Sequence, residues 1–136
     1  MHTQTDNTAI VAGMYEALGR GDIETIIDAV SDDVDWSTDA ALPGAPWYGP
    51  RVGKDGVRDF FAALAGAGPI TEFAPVAFAS NDQGDVMVII RYAFTVVATG
   101  RNVAMNMHHF FRFRDGKIYY VRSAEDTAQV MAAFAP

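Results

Sequence analysis

Between Val103 and Phe113 the odd-numbered residues are Val103, Met105, Met107, His109, Phe111 and Phe113, an apolar face broken by one imidazole. The even positions carry Ala104, Asn106, His108, Phe110 and Arg112. Successive side chains of a strand point to opposite faces, so this alternation sends His109 inward and His108 outward. An imidazole titrates near neutral pH, and in an interior site it can serve as base, acid or hydrogen-bond donor. The other reading is a core histidine bonded to a backbone or tyrosine oxygen, and the pattern leaves both open. Adjacent histidines on opposite faces cannot readily chelate one ion and His2 stands at the far end of the chain, so no metal site is expected. Gly-rich phosphate loops and a nucleophile elbow are absent, and no cofactor is expected. Trp36, Trp47, Phe60, Phe61, Phe111 and Val121 supply the apolar wall of a pocket for an apolar or aromatic ligand. Taken singly, each of these six reads as core packing.

The elements that must hold these residues follow from periodicity. From Thr8 to Leu18, Ile10, Met14 and Leu18 recur at helical spacing, and Gly19 and Gly21 end the run. Asp22 can cap a second helix whose Ile23, Ile26, Ile27 and Val30 share one face. Asp33–Ser37 alternates like a strand, residues 42–50 read as a loop with three prolines, and a third helix is expected from about Lys54 to Ala65. Four strands follow, over 73–79, 86–98, 103–113 and 117–123. Asp115-Gly116 between the last two marks a tight hairpin. Asp126 to Phe134 carries a cap and helically spaced apolar residues, which predicts a short C-terminal helix. Helices first and antiparallel strands later predict an α+β fold, with helices covering one face of a curved sheet. The segment Val86–Ala98 is apolar on both faces. A second copy of the chain is the simplest cover for the face the helices leave bare, and a homodimer is expected.

At 136 residues the chain suits one domain, spanning 1–136. A formal charge of −7 repels phosphate backbones and anionic lipid, so neither nucleic acid nor membrane is an expected partner. The absence of Cys excludes disulfides and thiolate chemistry and fits a reducing compartment. With no signal-peptide pattern at the start and no apolar run long enough to span a bilayer, a cytoplasmic location is expected.

Three stretches add a family resemblance. Val11–Ile23 followed by Val30–Val34, then Gly49–Phe61, then Phe111–Ile118 resemble the SnoaL-like, ketosteroid-isomerase-like branch of the nuclear transport factor 2-like superfamily, over nearly the whole chain. The resemblance implies a cone-shaped roll, about three helices on a bent sheet around a pocket, with dimerisation through the sheet's outer face. It also implies binding of a small apolar molecule, polyketide-, terpenoid- or steroid-like, by a cofactor-independent isomerase, cyclase or lyase. The same scaffold hosts non-catalytic binding and dimerisation modules, which is the alternative.

Residue by residue the resemblance is uneven. Tyr15 matches the family's tyrosine donor, and His109 stands where ketosteroid isomerases place a second, acidic donor. The position of the carboxylate base aligns with Thr38, which cannot take a proton, and Asp39 is one residue away. An epoxide-hydrolase site would need two carboxylates bridged by an arginine. Arg91 could match the arginine, but the carboxylate positions fall on Ala93 and Ser123. Arg122 and Glu125 read as surface or interface charges. The catalytic candidates are therefore His109, Tyr15 and Asp39.

Overall fold

The computed structural model describes residues 4–41 and 44–136. His2, Leu42 and Pro43 lie outside the described residues. Helix α1 spans Gln4–Gly19 and α2 spans Ile23–Ala29, with the Asp22 side chain accepting from the Thr25 amide as its cap. Strand β1 (Val30–Asp39), the two-residue β2 (Arg51–Val52) and helix α3 (Gly53–Ala67) complete the first half. The second half is β3 (Ile70–Ser80), β4 (Val86–Thr95), β5 (Asn102–Arg114), β6 (Lys117–Ala124) and helix α4 (Thr127–Phe134).

The six strands form one sheet in the order β2-β1-β6-β5-β4-β3. All neighbouring pairs are antiparallel except β1 and β6, which run parallel. The expected α+β architecture is thus present. Asp115 and Gly116 adopt φ of 52° and 78°, the two positive values that a two-residue hairpin of this kind requires. The strand expected over 86–98 stops at Thr95. Beyond it the chain turns back, with the Val96 amide donating to the Arg101 carbonyl and the Gly100 amide to the Val96 carbonyl.

The sheet has an inside and an outside. Along β4, Val86, Val88, Ile90, Tyr92 and Phe94 are buried, whereas Met87 and Ile89 are exposed. The helices cover the inner face, where Val11, Met14 and Ala17 of α1, Ile26 and Ile27 of α2 and Val57 of α3 join the core. Gly68 allows α3 to run straight back into the sheet. A Cβ there would meet the Thr95 carbonyl oxygen at 1.7 Å, and its φ of 152° already disfavours a side chain. No described helix is long and apolar enough to cross a membrane.

Candidate functional site

Between helices and sheet lies a cavity of about 60 Å³. Tyr15 reaches it from α1, Trp36 from β1, Trp47 from the loop after β1, Phe60 and Phe61 from α3. His109 and Phe111 reach it from β5, and Val121 from β6. Eight of the nine site residues expected from sequence therefore meet at one place. An open groove of about 600 Å³ outside shares Leu18, Phe61, Leu64 and Ile70 with the cavity, so the two spaces adjoin at these four side chains.

The Tyr15 hydroxyl lies 2.8 Å from His109 Nδ1. Phe73, Phe78 and Phe111 pack around the tyrosine ring. Burial pushes the Tyr15 phenol well above its ordinary range. Burial, and then the neighbouring His108, pull the His109 imidazole down to about 4. Both groups are neutral at pH 7, and one proton lies between them. If Nδ1–H donates, the Tyr15 hydroxyl is free to donate to a third group. If the hydroxyl donates, Nε2 carries the ring proton.

Strand register extends this pair into a polar row. His109 is paired with Ser123 on β6, and Ser123 with Thr38 on β1. The Ser123 and Thr38 hydroxyl oxygens are buried without a hydrogen-bond partner among the described residues, and Ser123 lines the cavity. A buried hydroxyl left unpaired costs about 1–3 kcal/mol, which an oxygen-bearing ligand or a water would recover.

Asp39 does not join this row. Trp36 and Thr38 point inward on β1, so the period-two alternation turns Asp39 outward, where it is 69% exposed and 4.0 Å from Arg122. It lines a second groove instead, together with His108, His109 and Ile89. The end of β1 therefore brings no carboxylate into the cavity that Tyr15 lines. Arg91 is also an outer-face residue, bonded to Asn106 and near Glu72.

Glu125 corrects the sequence reading in the other direction. It lines the cavity rather than the surface. Trp47 Nε1 donates to one carboxylate oxygen at 3.1 Å and the Tyr48 hydroxyl to the other at 3.0 Å. Burial pushes its carboxyl up, and the two donors pull it back only in part. The missed signal is alternation carried one residue past β6, since Val121, Ser123 and Glu125 all face the cavity. Arg122, between them, faces out, lies over the Tyr120 ring and pairs with Asp35 at 3.0 Å.

The model of the SnoaL-like domain matches residues 11–121. The chain belongs to the SnoaL-like domain family, within the NTF2-like superfamily. Solved structures share the fold over almost the full length of this family member. An NTF2-like protein of unknown function from Burkholderia pseudomallei is 23% identical, with a TM-score of 0.86 over 96% of this chain and 98% of that one. TerC, crystallised with polyporic acid, is 22% identical with a TM-score of 0.83, over 94% and 97%. A structure described as a candidate SnoaL-like polyketide cyclase, from Mesorhizobium loti, is 19% identical with a TM-score of 0.69, over 85% and 96%. No curated protein matches the chain in sequence.

Proposed function

We propose that this SnoaL-like domain binds a small, flat, largely apolar molecule in its cavity and polarises an oxygen of that molecule through Tyr15, with His109 behind it. The observation that carries this reading is the Tyr15–His109 hydrogen bond at the wall of an aromatic-lined cavity. A neutral His109 donating from Nδ1 to the Tyr15 oxygen frees the phenolic proton for a ligand carbonyl or enol oxygen. Such preorganised donors in a water-poor site stabilise the charge that develops as a proton leaves the adjacent carbon. Acid/base isomerase, cyclase or dehydratase chemistry is the extension of this binding role. The unpaired Ser123 and Thr38 hydroxyls, in the same row, add hydrogen-bonding capacity for the same oxygen. Among the fold neighbours, TerC was crystallised with polyporic acid and another protein is described as a candidate polyketide cyclase, which agrees with a small-molecule role for this scaffold.

One observation favours a purely binding module. Asp39, the candidate base, faces away from the cavity. Native mass spectrometry of molecules that copurify with the protein tests both readings. The parent is expected to carry a ligand, Tyr15→Phe to lose most of it, and both proteins to melt within a few degrees of each other. An empty parent, or equal ligand occupancy in Tyr15→Phe, would refute the assignment of Tyr15 as the anchoring donor.

A further inference from the structure

The cavity has a second polar end that the Tyr15–His109 pair does not use. Tyr92 on β4 lies opposite Met105 of β5, four residues along the strand from His109. At about 3.3 Å per residue the two rungs are ~13 Å apart. The backbone beside Glu125 reaches the same rung, since the Asp126 amide contacts Met105 Sδ at 3.3 Å. Tyr92 and Glu125 both line the cavity. They are close enough that the Glu125 charge, after burial itself, raises the Tyr92 phenol. Each Glu125 oxygen accepts one hydrogen bond, from Trp47 or Tyr48, and keeps a lone pair to spare. The Tyr92 hydroxyl makes no hydrogen bond among the described residues. The lining of this one cavity of about 60 Å³ includes residues at both rungs.

We propose that Glu125 and Tyr92 form a second polar subsite, which takes a hydroxyl group at the far end of a flat, ring-containing ligand. A hydroxyl is the matching group because it donates and accepts at once: it gives its proton to the spare lone pair of Glu125 and accepts from Tyr92. A carbonyl could use only Tyr92, and an ammonium only Glu125. The ligand class is then a planar, fused or linked ring system with an oxygen held by Tyr15 at one end and a hydroxyl held by Glu125 at the other. This inference rests on the reading of the cavity as a ligand site.

Calorimetric titration of the full chain with naphthalene, 2-naphthol and 2,6-dihydroxynaphthalene separates the two ideas. In the parent each added hydroxyl is expected to tighten binding, the second by about tenfold. In Glu125→Gln, and independently in Tyr92→Phe, the gain from the second hydroxyl should fall to about the twofold expected from two equivalent orientations. The subsite is overturned if the parent binds 2-naphthol yet gains nothing from the second hydroxyl. It is equally overturned if the tenfold gain survives in Tyr92→Phe, or if Glu125→Gln lowers only the melting temperature, which would make Glu125 a tether for Trp47 and Tyr48. If none of the three compounds binds the parent, the cavity is not a site for flat apolar ligands and the broader reading falls as well.

Discussion

His109 keeps its place in the cavity wall only while it is neutral. Its folded value of about 4 lies below the ordinary 6.5, so between these values the unfolded chain takes up a proton that the folded chain refuses. Its contribution to stability is full above pH 6.5 and is lost as the pH falls toward 4, on the order of 3 kcal/mol at about 1.36 kcal/mol per pKa unit. Glu125 works in the opposite sense. Its raised carboxyl favours folding at low pH, and that contribution fades as the pH rises through the folded value. Urea unfolding of the parent and His109→Asn from pH 7.5 to pH 4 isolates the histidine: the gap between the two should narrow or reverse as the pH drops. A constant gap would mean that His109 titrates freely. The inward aim of His109 was legible because eleven residues of strict alternation surround it. The role of Glu125 was not, because it lies one residue beyond β6 and its donors come from a loop whose path no local pattern dictates.

Among the elements, the periodic ones were the readable ones. The three N-terminal helices, the long strands and the Asp-Gly hairpin follow from side-chain spacing and turn chemistry. The parallel pairing of β1 with β6 does not, because it joins residues about 85 positions apart, with a register shift between Val30 and Asp35. The C-terminal helix α4 was predicted, and the structure ties it down. Thr99 Oγ1 donates to the Ala133 carbonyl at 2.6 Å, and Gln129 exchanges two hydrogen bonds with the Ala104 backbone. Val130 is fully buried, and Phe134 meets the edge of Trp47 with centroids 5.8 Å apart. Val130→Ala removes two methyl groups from this joint and should cost about 2 kcal/mol. A urea midpoint equal to that of the parent would show that α4 is not part of the cooperative core.

At the scale of the molecule, the outer sheet face remains to be accounted for. On the outer face of β4, Met87 is 37% and Ile89 39% exposed, on the side the helices leave uncovered. Exposed apolar residues concentrated on one sheet face suit self-association better than permanent contact with water. We propose that two copies pair through this face. Light scattering is expected to give twice the 14.7 kDa chain mass at micromolar concentrations, and Ile89→Asp should shift the equilibrium toward single chains. A single-chain mass for the parent would leave the face as an ordinary solvent-exposed surface. The two-sided hydrophobicity of β4 was visible in the sequence; what lies against its outer side is not encoded in any one chain's alternation.

The chain contains only two tryptophans, and both Trp36 and Trp47 line the cavity. All of its indole fluorescence therefore originates at the site. No other indole dilutes that light, so an aromatic molecule that enters the cavity is expected to quench or take up the emission directly. Trp47 is also hydrogen-bonded to Glu125, which couples its emission to the charge of that carboxyl. The unmodified protein is in this sense its own optical sensor, and libraries of small molecules can be screened against it without a label, before any reaction is known.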